Sequence, residues 1–188
     1  LALLVSMPIW LPLMIVLAAA VKFSSPGPAL FRQTRVGRGG KEFSCLKFRT
    51  MVVDAEDQLT RFLHDNPQAR EEWESEVQLK NDPRITAVGH FLRKTSLDEL
   101  PQIVNILKGE MSLIGPRPIV SEEVEMYSEN FKYYASVCPG LSGLWQVSGR
   151  NDVDYRQRVM LDIFYVRNWS LWLDFMILLR TVPAVLRK

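Results

Sequence analysis

The chain opens with an apolar run from Leu1 to Val21, in which Ser6 is the only polar residue. This run is long enough to cross a bilayer, which takes about 20 apolar residues. Pro8 and Pro12 each remove a backbone donor and bend a helix, so we predict a re-entrant helix that breaks near Pro12 and returns to the same membrane face. A kinked span and a buried core helix are the alternatives. A signal peptide is disfavoured, because no basic region precedes the run and no clear cleavage site follows it.

Turn residues after this run predict a small β-hairpin. The turns at Ser24–Pro28 and Val36–Lys41 enclose a short apolar piece, Ala29–Phe31, and a second apolar piece follows from Phe43 to Phe48. Gly39-Gly40 suits a two-residue connection between two such strands.

Helical periodicity dominates the middle of the chain. Residues 52–79 predict a helical arm that is interrupted at Asn66-Pro67. A further helix is expected from about Leu97 to Lys108, and Gly109 suits the left-handed position that follows a helix end. The same periodicity returns in residues 121–135 and 152–166.

The last stretch, Trp169–Leu186, predicts an amphipathic helix that lies on the bilayer surface, with an ordinary core helix as the alternative. Together these patterns predict an α/β fold that is mostly helical. It contains a small β-hairpin, a Pro-broken re-entrant membrane helix at the N-terminus and interfacial amphipathic helices.

Composition supports one domain with a real core. The chain has 188 residues, of which 47% are hydrophobic and 23% charged, and this argues against both disorder and a polytopic membrane protein. Cys45 and Cys138 are far apart and match no metal-binding or redox spacing, so we expect free thiols in a reducing cytosol. Because the sequence begins at Leu1 rather than Met, we also expect further sequence upstream.

The net charge of +2 hides a strong segregation. Residues 1–53 carry seven bases against one acid, and residues 54–76 carry eight acids against two bases. The bases that follow the apolar run predict that the globular part lies on the cytoplasmic side. The acidic arm is interpreted as a solvated face that anionic lipid repels, rather than as a metal site.

Asp98 and Glu99 are the first candidates for chemistry, although a structural explanation also exists. Ser96-x-x-Glu99 matches a capping box at a helix start, where Asp98 would only favour the helix dipole. The same position would keep Asp98 ionised as a nucleophile, and Glu99 offers a second hard oxygen ligand for Mg²⁺ on a diphosphate. Arg93 and Lys94 lie just upstream, where they are candidates to contact phosphate oxygens.

Gly115-Pro116-Arg117-Pro118 is the second candidate, because two prolines fix the backbone on both sides of one arginine. A rigid Arg117 suits a nucleotide phosphate, and Pro116 and Pro118 offer an apolar wall for a base or sugar. A structural turn with an incidental arginine is the alternative. Further cationic donors are Lys47, Arg49 and Arg150, for which surface charge or lipid contact is the simpler explanation. The sequence has no P-loop, dinucleotide-binding motif or zinc spacing.

These residues resemble the bacterial sugar transferases, the monotopic phosphoglycosyl transferases that begin O-antigen, capsule and exopolysaccharide synthesis on undecaprenyl phosphate. The resemblance covers nearly the whole chain. Its motifs are the Pro-broken run, Lys47–Met51, Thr95–Pro101, Gly115–Pro118, Pro139–Gly143 and Tyr165–Ser170.

The resemblance implies a covalent two-step transfer. Asp98 would attack the β-phosphate of a UDP-sugar, release UMP and pass the sugar phosphate to undecaprenyl phosphate, while Glu99 with Asp98 would hold Mg²⁺. It also assigns phosphate or nucleotide binding to the motif cations Arg49, Arg93, Arg117 and Arg150, and less securely a role to Asp174. Residues 1–23 would be the membrane helix, and residues 24–188 the catalytic domain at the cytoplasmic face of the bacterial inner membrane, with the acidic arm at 52–79.

The family also implies a Ser-Pro pair at the bend of the membrane helix, whereas Leu11 precedes Pro12 here. The region Leu79–Arg84 and the segment Gly143–Arg150 are most similar to galactose-1-phosphate transferases of O-antigen initiation. UDP-galactose is therefore the first expectation, then UDP-glucose, then UDP-N-acetylhexosamines. Membrane lipids are expected partners, nucleic acid is not, and a homodimer is left open. A non-catalytic membrane-surface adaptor is the competing hypothesis.

Overall fold

A computed structural model describes residues 2–76, 79–149 and 154–186. The chain divides into two compact units: unit 1 comprises residues 1–5, 32–47 and 99–188, and unit 2 comprises residues 6–31 and 48–98. Most elements are helices, and strands β1 (Leu30–Val36) and β2 (Glu42–Phe48) form a two-stranded antiparallel hairpin. The prediction of a mostly helical chain with one small hairpin is thus confirmed.

The N-terminal run forms helix α1 (Ala2–Val5) and helix α2 (Met7–Ser24). The helical assignment is interrupted at Ser6 and continues through Pro12, and the bend near Pro12 stays a prediction. Pro8 lies in the first turn of α2, where a proline sacrifices only a donor that has no partner. By length and composition α2 could span a membrane, and 11% of it is buried.

The hairpin turn is longer than the predicted two-residue connection. It runs from Gly37 to Lys41, whose backbones pair through a 2.8 Å hydrogen bond, and it contains a 3₁₀ turn at Arg38–Gly40. Gly39 and Gly40 both have left-handed backbones, with φ of 70° and 72°. The two glycines therefore have the backbone role that was predicted, within a wider loop.

Unit 2 contains helices α3 (Ala55–Asp65), α4 (Pro67–Glu76) and α5 (Ala87–Thr95). The acidic arm is interrupted at Asn66, as predicted, because the residue before a proline avoids the helical region. Helix α5 packs against α2 and begins at Thr86, whose hydroxyl accepts a hydrogen bond from the Gly89 N–H at 2.9 Å. Gly89 lies so close to the Thr50 carbonyl oxygen that a Cβ atom would overlap it.

The segment around Asp98 differs from the predicted helix. Ser96 ends α5 in a left-handed conformation (φ 56°), residues Leu97–Glu99 form a 3₁₀ turn, and helix α6 spans Gln102–Leu107. Pro101 is the N-cap of α6, so Asp98 lies in the 3₁₀ turn before this helix and not at an α-helix start. The physical reason is Pro101, which disfavours the helical region for the residue before it and has no N–H to donate. The end of α6 before Gly109 (φ 76°) is confirmed.

Unit 1 contains a feature that no sequence pattern indicated, a parallel pair of short strands. Strand β3 (Ser112–Ile114) pairs with β4 (Gly140–Ser142), with Ser112 opposite Gly140 and Ile114 opposite Ser142. This pairing joins two of the motifs identified in the sequence, because β3 leads into Gly115–Pro118 and β4 lies within Pro139–Gly143.

The helices of unit 1 that follow β3 are α7 (Val124–Tyr127), α8 (Phe131–Ser136), α9 (Leu144–Val147), α10 (Tyr155–Arg167) and α11 (Leu171–Leu186). The predicted helix at 121–135 is divided, because Ser128 has a positive φ of 47°. Among the described residues of this unit, hydrophobic side chains form clusters. The first surrounds Tyr127, Tyr134 and Ile163, and the second surrounds Tyr165 and Ile177.

Asn105 of α6 is fully buried and ties this helix to β2. Its side-chain oxygen accepts a hydrogen bond from Leu46 N–H at 3.0 Å. Its amide nitrogen donates to the Ser44 carbonyl at 2.8 Å and to Glu110 Oε2 at 2.6 Å. All hydrogen-bonding positions of the amide group that face β2 are thereby used, which fixes α6 and the turn before it.

Candidate active site

The boundary between the two units falls between Asp98 and Glu99, so each acid is described with the residues of its own unit. In unit 2, Asp98 interacts electrostatically with Arg93. Arg93 Nε donates to Thr50 Oγ1 at 2.9 Å. Burial lowers the pKa of Arg93, and the charges of Asp98 and Asp82 oppose this shift. The guanidinium therefore stays charged and directed by Thr50 beside the candidate nucleophile.

A second arginine of unit 2 closes on Asp82. Arg84 donates through Nε and Nη2 to both oxygens of this buried carboxylate, the shortest contact being 2.6 Å. Burial alone would raise the pKa of Asp82, but the hydrogen bonds from Arg84 outweigh it and lower the pKa. Arg84 also lies 5.0 Å above the ring of Trp73 in α4. The pair thus stabilises the loop between α4 and α5, which leads to Arg93.

In unit 1, Glu99 forms an ion pair with Lys47 of β2. Lys47 Nζ donates to Glu99 Oε1 at 2.7 Å, and the two side chains are 20% and 23% exposed. Because both side chains are largely removed from water, the attraction between their charges is less screened than at the surface.

Lys47 and Glu99 lie in the wall of a small open pocket of unit 1. Three cations and one acid are present in its wall, so it favours an anionic ligand. Burial raises the pKa of the Cys45 thiol, which keeps it protonated and unreactive. The residues of the wall are Arg35, Cys45, Lys47, Glu99, Gln102, Arg117, Pro118, Gly140, Leu141 and Gln146.

Arg117 enters this pocket from a turn that the β3–β4 pair holds. The Gly140 N–H donates to the Pro116 carbonyl at 2.7 Å, and the Gly115 N–H donates to the Ser142 carbonyl at 2.9 Å. Neither Gly115 nor Gly140 has room for a Cβ atom against the facing backbone. Arg117 itself lies 5.8 Å from the ring centroid of Trp145.

The remaining predicted site residues are placed as follows. Arg49 is buried, with its guanidinium donating to the carbonyls of Ser25 (2.7 Å) and Pro26, so it stabilises the turn after α2. Asp174 accepts hydrogen bonds from Tyr165 and Trp169. Pro116 is fully buried, and Arg150 lies outside the described residues. Phosphate contact by Arg49 and Arg150 stays a prediction.

Three residues of the pocket wall were missed in the sequence, namely Arg35, Cys45 and Gln102. They belong to β1, β2 and α6, and no local motif connects them. In β1, Gln33 and Arg35 are half-buried on either side of exposed Thr34, which is the alternation of a strand.

A metal ion would have few ligands from the protein. Among residues 2–76, 79–149 and 154–186, no group of three His, Cys, Asp or Glu side chains is arranged to hold one. Mg²⁺ commonly binds through only one or two carboxylates and completes its coordination with substrate phosphates and water. The consecutive acids Asp98 and Glu99 fit that mode of binding.

A cationic pocket with a carboxylate in its wall suits an anionic ligand such as a phosphate group. Comparison with known families identifies the class of protein. Residues 1–188 match the family described as "Bacterial sugar transferase", and the chain belongs to this family.

Named relatives are similar over most of the chain. The "Undecaprenyl-phosphate galactose phosphotransferase" of Salmonella typhimurium is 59% identical over 86% of this chain and 34% of its own length. An "Uncharacterized sugar transferase" of Haemophilus influenzae is 56% identical over 96% of this chain and 38% of its own length. The "UDP-galactose-lipid carrier transferase" of Erwinia amylovora is 52% identical over 95% of this chain and 37% of its own length. The chain therefore spans little more than a third of each of these relatives.

Proposed function

We propose that this chain transfers a sugar 1-phosphate from a UDP-sugar to undecaprenyl phosphate and releases UMP. The observation that carries the proposal is the pocket of unit 1, whose wall contains Arg117 and the ion pair between Lys47 and Glu99. The guanidinium of Arg117 suits the phosphates of a nucleoside diphosphate. Membership of the bacterial sugar transferase family supports the same reaction class.

The proposed reaction has two displacement steps at one phosphorus atom. The carboxylate of Asp98 attacks the β-phosphorus of the UDP-sugar, and the bond from this phosphorus to the oxygen shared with the α-phosphate breaks, so UMP leaves. A phosphate oxygen of undecaprenyl phosphate then attacks the same phosphorus. The bond to Asp98 breaks, the carboxylate is regenerated, and the lipid carries the sugar phosphate through a diphosphate.

The residues around the two acids have distinct tasks. Arg93, directed by Thr50, supplies a positive charge that interacts with Asp98. Lys47 holds Glu99, and Arg117 binds a phosphate or the nucleotide. When bound at Asp98 and Glu99, Mg²⁺ would neutralise charge on the diphosphate.

Galactose 1-phosphate is the proposed group to be transferred, and initiation of O-antigen, capsule or exopolysaccharide is the proposed role. The names of the relatives from Salmonella typhimurium and Erwinia amylovora support galactose. UDP-glucose is the second candidate and UDP-N-acetylhexosamines the third. A homodimer stays a prediction without a test in the structure.

Helix α2 is proposed to enter one leaflet of the bacterial inner membrane and to leave the catalytic residues at the cytoplasmic face. Its apolar composition and the exposure of most of its side chains support membrane contact. Helix α11 exposes Leu171, Trp172 and Val182 and is proposed to lie at the lipid surface.

The proposed function predicts that purified protein with UDP-galactose, Mg²⁺ and undecaprenyl phosphate releases UMP. Asp98→Asn removes the attacking carboxylate, so UMP release should fall by about 1,000-fold or more, because residues that act as the nucleophile dominate the rate. Asp65→Asn, the same change on the exposed face of α3, is the matched control and should retain wild-type activity. UMP release is measured for UDP-galactose, UDP-glucose and UDP-N-acetylhexosamines in parallel.

Without the lipid acceptor, wild-type protein should accumulate a phosphosugar on the peptide that contains Asp98, detectable by mass spectrometry. Full activity of Asp98→Asn would refute the assignment of Asp98 as the nucleophile. If UMP release were fastest with UDP-glucose, glucose 1-phosphate would replace galactose 1-phosphate as the proposed transferred group. The adaptor hypothesis explains the charge segregation but not the pocket. Salt-sensitive binding to vesicles with no stabilisation by any UDP-sugar would support it instead.

A further inference from the structure

Three tethers join the end of β1 to the residues that follow Arg117. Arg35 Nη1 donates to the Pro118 carbonyl at 3.0 Å. The Val36 N–H donates to the Ile119 carbonyl at 2.8 Å. Tyr134 adds the third, because its hydroxyl donates to the Val36 carbonyl at 2.6 Å and accepts from the Ile119 N–H at 3.2 Å. Only the first of these tethers is a charged side chain.

The donors of Arg35 are directed to protein acceptors. Nη2 donates to Gln33 Oε1 at 2.7 Å, and Nη1 lies 3.7 Å from Glu123 Oε2. Glu123 is itself fixed, since its Oε2 accepts from the Val120 N–H at 2.8 Å. The planar guanidinium is therefore held at three points, which a flexible ammonium would not reproduce.

The position of Arg35 places it next to Arg117 in the pocket wall. The charge of Arg35 is repelled by that of Arg117 and attracted by that of Glu123. The Arg117 turn is thus held from both ends, by the β3–β4 pair before it and by Arg35 after it. Because both ends of the turn are fixed, the backbone at Arg117 has little conformational freedom. Such preorganisation lowers the entropy cost of binding a ligand.

We infer that Arg35 is a positioning residue, which fixes the Gly115–Pro118 turn so that Arg117 meets the phosphates of the nucleotide. This inference rests on the proposed function, in which Arg117 binds a nucleotide. Arg35 acts through Arg117 and not by direct contact, so its effect on nucleotide affinity requires Arg117.

A double-mutant cycle with UMP as the probe tests this dependence. The dissociation constant is measured by calorimetry on the full chain in detergent, for wild type, Arg35→Gln, Arg117→Gln and the double variant. Arg117→Gln should weaken binding by about tenfold or more, and Arg35→Gln by about threefold to tenfold. In the Arg117→Gln background, Arg35→Gln should change the constant by less than about twofold.

Two further variants separate positioning from charge and from folding. Arg32→Gln is the matched control, since Arg32 is an exposed arginine of the same strand, and it should bind UMP like wild type. Arg35→Lys keeps the charge but loses the planar fork, so it should bind about as weakly as Arg35→Gln. Thermal unfolding shows whether Arg35→Gln folds. If it does not, Arg35→Lys replaces it in the double-mutant cycle.

The inference is overturned if the effects of Arg35→Gln and Arg117→Gln multiply, or if Arg35→Lys binds like wild type. Unchanged UMP affinity in Arg117→Gln would also overturn it. The transfer reaction is judged separately, because wild-type release of UMP in the presence of undecaprenyl phosphate would stand whatever the cycle gives.

Discussion

Asp162 of α10 is an acid buried within the first hydrophobic cluster of unit 1. Tyr127 donates a 2.7 Å hydrogen bond to its Oδ2, and Oδ1 is buried with no hydrogen-bond partner among the described residues. Burial raises the pKa of Asp162 to about 7, although the hydrogen bond from Tyr127 opposes the shift. The native protein therefore keeps this acid protonated at a pH where the unfolded chain has lost the proton.

Stability should accordingly fall as the pH rises from about 4 to about 7, and then become independent of this group. Between these pH values the native state binds more protons than the unfolded state. The free energy of unfolding therefore decreases as the pH rises. Because a tenfold change in proton affinity is about 1.4 kcal/mol, the cost of ionising the buried acid is on the order of 4 kcal/mol.

Asp162→Asn should remove this slope, since the amide oxygen still accepts from Tyr127 and no proton is exchanged. Urea unfolding in mild detergent at several pH values measures it. Asp57→Asn, on the exposed face of α3, should retain the wild-type slope. Parallel curves for wild type and Asp162→Asn would contradict the prediction.

At the scale of elements, the residues that end helices could be predicted from the sequence. The pairing of segments that are distant in the sequence could not. Asn66-Pro67 divides the acidic arm and Gly109 follows α6, because proline and glycine act through their own backbone. The start of α6 was predicted too early, because Leu97–Glu99 form a 3₁₀ turn and the α-helix begins only after Pro101. The three-residue strands β3 and β4 are too short to show a period of two, so the site around Arg117 could not be assembled from the sequence.

Helix α5 provides a test of packing against intrinsic propensity. Alanine in place of Gly89 would favour the helix by about 1 kcal/mol. Its Cβ atom, however, would overlap the Thr50 carbonyl, which also accepts the 3.0 Å hydrogen bond from the Thr86 N–H. Arg93 lies one turn further along the same face, so a displaced helix would also move its contact with Thr50.

We therefore expect Gly89→Ala to lower the melting temperature and to reduce UMP release. His90→Ala is the matched control, because His90 is exposed on the same helix and gains propensity without overlap. A melting temperature of Gly89→Ala at or above the wild-type value would contradict this prediction. It would show that the backbone at Thr50 moves away from the new Cβ atom without loss of stability.

At the scale of the whole molecule, apolar surface is concentrated on particular helices. Ile9, Ile15 and Val16 of α2 are each more than 60% exposed, and Phe23 is 91% exposed. Such a surface is incompatible with water and is expected to be covered by lipid. Composition alone predicted this helix, but the position of its interruption at Ser6 required the structure.

If the proposed re-entrant topology is correct, both ends of the apolar run face the cytoplasm. Single cysteines at Leu1 and at Phe23, in a chain with Cys45→Ala and Cys138→Ser, should resist a membrane-impermeant maleimide applied to intact cells. Both should react after permeabilisation, which serves as the control. Labelling at Leu1 alone in cells with an accessible periplasm would indicate a span.

The buried amide of Asn105 also has a consequence for how copies of this chain behave in a crowded cell. A two-stranded hairpin has two open sides, and an open side is a template for a strand of another molecule. Asn105 occupies the outer side of β2, where it takes the N–H of Leu46 and the carbonyl of Ser44. One side chain thereby occupies two backbone groups of β2 with which a strand of another molecule could otherwise pair.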